Sequence, residues 1–259
     1  MKTSSEAVKP IILITGATSG IGRATAIRLA REEYRLILVA RRAEALKLLG
    51  TLIQTRYHTE CFTYPLDVRK LPDIERFMTS LPEEWRSISI LVNNAGLAAG
   101  LDPIHEGSIG DWDQMIDTNI KGLLYMTRLI TPGLVERQQG HIINVGSIAG
   151  KEVYPKGAVY CATKAAVDAL TKGMRQDLVP YGIKVSSVCP GAVETEFSLV
   201  RFKGDEERAG KVYEGFQPLQ AEDIASVIDY IISRPAHVNI QDVLVMPAAQ
   251  ASATIIHRK

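Results

Sequence analysis

Short apolar runs alternate with longer segments of helical pattern along the chain, and this alternation restricts the possible folds more than any other feature. The apolar runs are rich in Ile, Val and Leu without strict alternation, as in strands covered on both faces. We predict strands at residues 11–15, 35–40, 61–66, 88–93, 140–146, 183–189 and 242–246. We predict helices at residues 20–32, 43–56, 71–80, 109–137, 157–181 and 221–233. This order indicates an α/β fold with a parallel sheet and right-handed crossovers.

The composition is typical of a globular protein and disfavours several classes of function. The 259 residues are 46% apolar and 23% charged, ample for a buried core. A net charge of +1 gives no broad basic field, so we expect no nucleic-acid and no membrane partner. No apolar run reaches the roughly 18 residues of a membrane span. Three cysteines without a CxxC pair and five scattered histidines predict a cytoplasmic protein with reduced thiols and no metal site: Cys61, Cys161, Cys189, His58, His105, His141, His237 and His257.

One segment breaks the alternation, although no repeat or linker divides the chain. We therefore predict a single domain over residues 1–259, with an insertion at 192–220 that mixes charges, aromatic residues and glycines. This segment is a candidate lid that closes over the substrate and excludes water. The tail at 247–259 either packs on a neighbouring subunit or is a frayed terminus.

A glycine-rich turn joins the first predicted strand to the first predicted helix. Glycines allow a tight turn and close approach of the backbone to a pyrophosphate, which then lies at a helix N-terminus. The strand before the turn and the helix after it are the context that this motif requires. The turn predicts a dinucleotide site that includes Gly16, Thr18, Ser19, Gly20, Ile21 and Gly22.

Two arginines at the end of the second predicted strand indicate which dinucleotide binds. Binders of NAD usually have an acidic residue there for the ribose 2′-hydroxyl, but this chain has Arg41 and Arg42. Because guanidinium groups offer paired donors to a phosphate, we predict NADP. The alternative is that both arginines only cap the strand in solvent. Asp67 is a candidate acceptor for the adenine amino group, or an N-cap of the next helix.

Three side chains near the middle of the chain form a candidate catalytic group. Tyr160 and Lys164 are one helical turn apart, so they share a helix face, and we expect the ammonium to lower the pKa of the phenol. Ser147 follows a predicted strand and can hydrogen-bond a substrate oxygen. Asn119 is a poor helix former inside a predicted helix; it holds either a water in a proton relay or a bond between helices. This combination predicts a nicotinamide-dependent oxidoreductase acting on an alcohol or a carbonyl.

The predicted site residues converge because each one ends or follows a different strand. In a parallel sheet the carboxyl ends of the strands share one edge, where open α/β sheets bind ligands. The residues concerned are Thr15, Arg41, Asp67, Asn93, Ser147, Pro190 and Gly191. We therefore expect one crevice to contain both the cofactor and the catalytic group.

Several motifs together make the chain resemble the short-chain dehydrogenase/reductase family over essentially its whole length. They are Thr-Gly-x3-Gly-x-Gly at 15–22, Asn-Asn-Ala-Gly at 93–96, Asn119, Ser147, Tyr-x3-Lys at 160–164 and Pro-Gly at 190–191. The resemblance implies a single Rossmann-type doubly wound domain with a seven-stranded parallel sheet, and a homotetramer or a dimer, of which we expect the homotetramer. It also implies further cofactor contacts from Val68, Asn94, Ala95, Gly96, Tyr160, Lys164, Pro190, Gly191, Val193 and Thr195.

The resemblance also implies a role for each catalytic residue. Tyr160 exchanges a proton with the substrate oxygen, and Ser147 positions that oxygen. Lys164 lowers the pKa of the tyrosine and binds the nicotinamide ribose, while Asn119 anchors a water that connects Lys164 to solvent. Thr195 is implied to hold the nicotinamide carboxamide.

The segments that make the chain resemble one branch of the family are residues 91–98, 111–112, 115–119, 122–128, 195–198, 200–205 and 235–240. This branch is the NADP-dependent 3-hydroxy acid dehydrogenases, which act on serine, allo-threonine and related short acids. A carboxylate substrate needs a cationic receptor, and the candidates are Arg201, Lys203, Lys151 and Lys156. The alternatives are a broad carbonyl or 3-ketoacyl reductase and a non-catalytic NADP-binding protein. A non-catalytic protein is expected to have lost Tyr160 or Lys164, and both residues are present.

Overall fold

The sheet has the predicted parallel arrangement. The structure is a computed structural model that describes residues 9–32 and 34–259, and the rest of the predicted 1–259 domain lies outside the described residues. The strands are β1 (Ile11–Thr15), β2 (Arg35–Ala40), β3 (Cys61–Pro65), β4 (Ile88–Asn93), β5 (Gly140–Val145), β6 (Ile183–Pro190), β7 (Val193–Glu194), β8 (Leu219–Gln220) and β9 (Asp242–Val245). Within the described residues, seven strands form one parallel sheet in the order β3-β2-β1-β4-β5-β6-β9. The predicted α/β fold with a seven-stranded parallel sheet is confirmed.

The six predicted helices occur in the predicted order, with three departures, and two further short helices lie within the 192–220 segment. The helices are α1 (Gly20–Leu29), α2 (Ala43–Tyr57), α3 (Leu71–Ser80), α4 (Ile109–Ile116), α5 (Leu123–Glu136), α6 (Ala158–Leu178), α7 (Glu196–Arg201), α8 (Glu206–Lys211) and α9 (Ala221–Ile232). The first helix ends at Leu29 rather than at residue 32, and the helix predicted at 157–181 ends in a 3-10 turn, Val179–Tyr181. A π turn at Asp117–Gly122 interrupts the helix predicted at 109–137. None of the helices in the described part of the chain is long and apolar enough to cross a membrane.

Two apolar layers cover the two faces of the sheet because successive side chains of a strand point to opposite sides. On β1, Ile12 and Ile14 belong to one layer, and Ile11 and Leu13 belong to the other. The first layer packs on α1, α2 and α9, and the second packs on α3, α5 and α6. Burial on both faces explains why the apolar runs of the sequence do not alternate with polar residues.

The strand order reverses at β1, and this reversal opens a crevice at the carboxyl edge of the sheet. The chain moves outward from β1 to β2 and β3, and it then returns to the other side of β1 with β4. The loops that follow β1 and β4 therefore leave the sheet in opposite directions. In sheets of this kind, ligands bind between such loops.

The segment at 192–220 has its own small folded base. Its first and last residues pair as the short parallel strands β7 and β8, and α7 and α8 lie between them. The hydroxyl of Tyr213 donates to the carbonyl oxygen of Val193 at 2.9 Å, and it lies 2.7 Å from the hydroxyl of Ser198. These contacts hold the segment together, and its role as a lid stays a prediction.

The tail at 247–259 packs on its own chain. The backbone amide of Lys259 donates to the carbonyl oxygen of Gly215 at 2.8 Å. The guanidinium of Arg258 lies 5.1 Å from the centre of the Phe216 ring and donates to the carbonyl oxygen of Val212 at 3.1 Å. The alternative of a frayed terminus is therefore wrong, and packing on a neighbouring subunit stays a prediction.

Two helical glycines provide a matched test of how tightly α1 packs on the crevice. A Cβ atom on Gly22 would lie 2.4 Å from the side-chain nitrogen of Asn94, whereas one on Gly173 meets nothing within 4 Å. We expect Gly22→Ala to lower the free energy of unfolding by about 2 kcal/mol through overpacking. Gly173→Ala should raise it by up to about 1 kcal/mol. Urea denaturation measures both changes, and a Gly22→Ala variant as stable as the wild type would contradict this packing.

Candidate active site

The turn between β1 and α1 leaves the backbone amides at the start of α1 open. Gly16 and Gly20 have positive φ angles of 67° and 47°, which other residues rarely adopt. The side chain of Ser19 does not cap α1, and the first turn of the helix contains no acidic residue. The free N–H groups and the helix dipole therefore present a site for an anion such as a phosphate.

A cavity of about 470 Å³ connects this turn with α6. The predicted cofactor-binding residues that line it are Gly16, Thr18, Ser19, Gly20, Ile21, Arg41, Arg42, Asp67, Val68, Asn94, Ala95, Gly96, Tyr160, Lys164, Pro190, Gly191, Val193 and Thr195. Gly22 lies instead within α1, where the side chain of Asn94 and the backbone of Gly16 leave no room for a Cβ atom. Ser147 lines the cavity, whereas Asn119 lies behind its wall and only the neighbouring Thr118 reaches the surface.

The cavity also includes residues that sequence analysis missed. Arg69, Glu196 and Phe197 line it, and each lies within two positions of a predicted site residue, which is the signal that could have found them. The ring of Phe197 meets the ring of Tyr160 edge-on, with 5.7 Å between the ring centres. Because Phe197 belongs to α7, the segment at 192–220 forms part of the cavity wall.

The catalytic trio lies together at the α6 end of the cavity. Tyr160 and Lys164 are separated by one turn of α6, and they are 8% and 7% exposed. Ser147 precedes a 3-10 turn at Ile148–Gly150, where its hydroxyl accepts a hydrogen bond from the amide of Ala149 at 3.1 Å. The structure therefore brings the phenol, the ammonium and the hydroxyl into one largely buried corner.

Burial dominates the electrostatics of Tyr160 and Lys164. The ammonium of Lys164 donates to the carbonyl oxygen of Val145 at 2.9 Å. Burial raises the pKa of Tyr160 well above its ordinary value, and the hydroxyl of Ser147 and the charge of Arg201 offset only part of this rise. In the protein without cofactor, the loss of solvation therefore outweighs the favourable interactions around the phenol, and the lowering of the tyrosine pKa by Lys164 stays a prediction. Burial also lowers the pKa of Lys164, to about 8.

Asn119 forms structural hydrogen bonds from the π turn. Its side-chain nitrogen donates to the carbonyl oxygen of Leu97 at 2.8 Å and to the hydroxyl of Thr163 at 3.0 Å. Its side-chain oxygen accepts from the amide of Leu97 at 2.9 Å. The bond to Thr163 is the predicted bond between helices, and it ties the π turn to α6. The water relay through Asn119 stays a prediction.

The two arginines after β2 have different surroundings. Arg42 donates to the hydroxyl of Thr18 at 3.2 Å and forms a 2.9 Å ion pair with Glu196, with about half of each charged side chain exposed. Arg41 is exposed and lines the cavity. Arg42 therefore connects the glycine turn to α7. The predicted alternative, in which the arginine only caps the strand in solvent, does not account for these contacts.

Asp67 is held by a neighbouring cation. The guanidinium of Arg69 forms a two-pronged contact with its carboxylate, the shorter bond being 2.6 Å. The hydrogen bond from Arg69 lowers the pKa of Asp67 below its ordinary value, so the group is a carboxylate at neutral pH. The alternative that Asp67 caps the next helix is wrong, since α3 begins at Leu71 after Lys70.

The four candidate receptors for a carboxylate differ in their surroundings. Lys203 is 65% exposed and pairs with an aspartate at 2.9 Å, while Lys151 pairs with two aspartates. Lys156 is exposed in a turn with a positive φ of 64°. Arg201 approaches the catalytic trio, with 5.7 Å between its guanidinium carbon and the centre of the Tyr160 ring, and Lys156 lines the same small cavity as Tyr160.

The remaining candidate ligands are dispersed. His141 is buried against Ser186 at 2.8 Å, and the other four histidines are exposed. The three cysteines form no disulfide. Across residues 9–32 and 34–259, no group of three or more His, Cys, Asp or Glu is placed to hold a metal ion.

Comparison with known proteins identifies the family. A family model described as short chain dehydrogenase matches residues 10–205. The NADP-dependent 3-hydroxy acid dehydrogenase YdfG of Salmonella typhi is 48% identical over 250 residues, which cover 96% of this chain and 99% of the relative. The NADP-dependent 3-hydroxy acid dehydrogenase of Schizosaccharomyces pombe is 43% identical over 249 residues, which cover 96% of each chain.

A solved structure gives the same result for the fold. The closed form of serine dehydrogenase complexed with NADP+ superposes with a TM-score of 0.91 at 45% identity. The match covers 96% of this chain and 100% of that one. The predicted family is therefore confirmed, and the chain belongs to the short-chain dehydrogenase family.

Proposed function

We propose that this protein is an NADP-dependent oxidoreductase that transfers hydride between the cofactor and the C3 hydroxyl or carbonyl of short 3-hydroxy acids, such as serine or allo-threonine. One observation carries the proposal: Ser147, Tyr160 and Lys164 line the same cavity as the glycine-rich turn. A proton-transfer group and an anion-binding turn in one cavity suit hydride transfer with acid–base assistance. The names of the relatives support both the cofactor and the substrate class.

The residues of the cavity fit a phosphorylated dinucleotide, whose nicotinamide supplies the hydride-accepting carbon. The open amides at the start of α1 suit its pyrophosphate. Arg41 and Arg42 offer planar, paired donors that match a 2′-phosphate. We assign the adenine end to Asp67 and Val68, and the nicotinamide carboxamide to Thr195.

The trio supplies the proton chemistry at the substrate oxygen. Ser147 hydrogen-bonds this oxygen, and Tyr160 gives it a proton during reduction or takes one during oxidation. Because burial raises the pKa of Tyr160, the phenol keeps its proton at neutral pH in the protein without cofactor. This is the form that carbonyl reduction requires. Lys164 holds the nicotinamide ribose, and Asn119 fixes the position of α6.

A broad carbonyl or 3-ketoacyl reductase is the second candidate function. The protonated state of Tyr160 favours it, since a ketone or a ketoacyl group needs the same proton donor. The third candidate, a non-catalytic NADP-binding protein, does not explain why a phenol, an ammonium and a hydroxyl lie together in the cavity.

We also propose a cytoplasmic homotetramer. Large apolar side chains are exposed before and at the start of α4 (Ile104 and Ile109) and on α9 and β9 (Tyr230 and Leu244). Two distinct self-complementary faces are what a tetramer of dihedral symmetry requires. Light scattering of the purified chain measures the number of subunits.

A substrate screen tests the proposed function. We expect NADP-linked oxidation of L-serine, L-allo-threonine or 3-hydroxypropionate, followed by the absorbance of NADPH, and little activity with NAD because Arg41 and Arg42 match the 2′-phosphate. Small neutral ketones are the comparison for the second candidate. No turnover of any hydroxy acid would remove the proposed substrate class, and a preference for NAD would remove the role given to the arginines.

Removal of one phenolic oxygen tests the proton path. We expect Tyr160→Phe to lower kcat by roughly 10³-fold, since positioned acid–base groups contribute about 10²–10⁴. Tyr181→Phe is the matched control, because Tyr181 lies beyond the far end of α6 and is 38% exposed. Steady-state rates in both directions give the answer. A Tyr160→Phe enzyme with the turnover of the wild type would show that the proton takes another route.

The lowered pKa of Lys164 predicts a pH-dependent stability. Its ordinary pKa is 10.5 and its pKa in the folded protein is about 8, so between these values the unfolded chain holds more protons than the folded chain. The contribution of Lys164 to stability therefore improves as the pH rises from about 8 towards 10.5. From about pH 7.5 to about pH 9.5, we expect the stability of the wild type relative to Lys164→Met to increase by about 2 kcal/mol.

Urea denaturation at the two pH values measures this difference. Lys172→Met is the matched control, because Lys172 lies on the same helix but is 59% exposed and pairs with Asp168. It should show no comparable trend. Parallel behaviour of the Lys164→Met variant and the wild type at both pH values would mean that the buried ammonium keeps an ordinary pKa.

A further inference from the structure

The guanidinium of Arg201 lies beside the catalytic tyrosine without an ionic partner. Arg201 is the last residue of α7, and its guanidinium carbon is 5.3 Å from the ring centre of Tyr154 and 5.7 Å from that of Tyr160. In the described part of the chain, no carboxylate lies within 4 Å of its nitrogens. A cation in this setting is stabilised by the two aromatic faces, but its charge is not neutralised.

One nitrogen of this guanidinium is buried and has no hydrogen bond. Nε donates to the carbonyl oxygen of Gly100 at 3.2 Å, and the amide of Gly100 donates back to the carbonyl oxygen of Arg201 at 3.0 Å. Nη2 is shielded from solvent and forms no hydrogen bond of regular geometry among residues 9–32 and 34–259, although the guanidinium also interacts with the hydroxyl of Tyr154. Because an unsatisfied buried donor is costly, and more so when it is charged, Nη2 is a position where a ligand atom is required.

The acidic residues nearby do not supply this atom. Asp102 and Asp111 both border Gly100, within 3.1 and 3.2 Å of the place where a Cβ atom would lie. Lys203 pairs with Asp111 at 2.9 Å, so this carboxylate is already neutralised. Two cations near Gly100 therefore have different tasks: Lys203 balances an acid of the protein, and the charge of Arg201 is left for another anion.

The space beside Arg201 has the size of a small polar group. Arg201 and Tyr160 both line a narrow cavity of about 20 Å³, room for one water-sized group. Tyr160 also lines the large cavity, so it stands between the two. The small cavity is also lined by Lys156, Asp102 and Asp111, and its size admits one carboxylate oxygen rather than a whole carboxylate.

We propose that Arg201 is the residue that selects acid substrates, by binding the substrate carboxylate through Nη2 while the C3 oxygen lies at Tyr160. In a 3-hydroxy acid, two C–C bonds of about 1.5 Å each separate the reacting carbon from the carboxylate. This short span is compatible with a guanidinium carbon that lies 5.7 Å from the centre of the Tyr160 ring. The inference rests on the proposed function and names the group that sets its substrate class.

The position of Arg201 also couples the substrate charge to the 192–220 segment. The residue joins this segment to Gly100 through its two reciprocal hydrogen bonds. A carboxylate on Nη2 removes the cost of the buried, unsatisfied donor, so the substrate stabilises this contact between the segment and Gly100. An uncharged analogue leaves that cost in place.

A comparison of an acid with its ester tests this assignment. The probes are L-serine or 3-hydroxypropionate, whichever the wild type oxidises faster, and the methyl ester of the same acid. For Arg201→Met, we expect kcat/KM for the acid to fall roughly 100-fold, mainly through KM, because a buried charge-assisted contact is lost. The value for the ester should fall much less than that for the acid, because the ester loses only the favourable charge beside the Tyr160 phenol. The remaining turnover of the ester also shows that the variant is folded.

Two further variants complete the test. Arg208→Met is the matched control, since Arg208 is an exposed cation of the same segment that lies over Phe202; it should leave the ratio of acid to ester unchanged. Arg201→Lys keeps the charge without the planar fork, so we expect a loss of roughly tenfold for the acid alone.

The outcomes separate this inference from the proposed function. Equal losses for acid and ester in Arg201→Met, or no loss for either, would overturn the assignment of Arg201 while hydroxy acid oxidation by the wild type stands. A wild type that turns over neutral compounds and no hydroxy acid would overturn the proposed function, and the assignment of Arg201 with it.

Discussion

Four hydrogen bonds between the end of β1 and the loop after β4 hold open the crevice on which the site depends. The hydroxyl of Thr15 accepts from the amides of Asn94 and Ala95 at 3.0 and 2.9 Å. The side-chain nitrogen of Asn94 donates to the carbonyl oxygens of Thr15 and Gly16 at 2.9 and 3.3 Å. These bonds fix the relative positions of the two loops that leave the sheet where its strand order reverses. They also support the glycine turn.

A series of hydrogen bonds between buried amide and hydroxyl side chains connects the sheet to α6, the helix that contains Tyr160. Asn93 on β4 donates to Thr127 on α5 and to Asn144 on β5, both at 3.0 Å. Asn144 donates in turn to Thr171 on α6 at 2.8 Å. Inside a protein such bonds are directional and costly to leave unmade, so α6 has one favoured position on the sheet. These hydrogen bonds, together with the bond between Asn119 and Thr163, fix the position of Tyr160 in the cavity.

The features that could be predicted from the sequence are those that depend on the local residue pattern and on the edge of a parallel sheet that the carboxyl ends of its strands share. The strands, the glycine turn and the convergence of Ser147 with Tyr160 follow from these two facts alone. The π turn around Asn119 was not predictable, because one additional residue per turn leaves the apolar pattern almost unchanged. The raised pKa of Tyr160 depends on what covers it, and part of that cover, Phe197 and Arg201, comes from a segment whose packing has no periodic signal.

Burial moves the two ionisable groups of the catalytic helix in opposite directions. It raises the pKa of Tyr160 and lowers that of Lys164 to about 8. Burial therefore favours a neutral phenol beside a neutral amine over a phenolate beside an ammonium. Arg201 opposes this tendency by favouring the phenolate. A carboxylate bound to Arg201 cancels part of its positive charge and so withdraws part of this support. The positive charge of Arg201 therefore has two competing uses: it binds the substrate carboxylate, and it stabilises the phenolate of Tyr160. When a carboxylate occupies Arg201, a charged Lys164 is the cation that remains to offset the effect of burial on the Tyr160 pKa during oxidation.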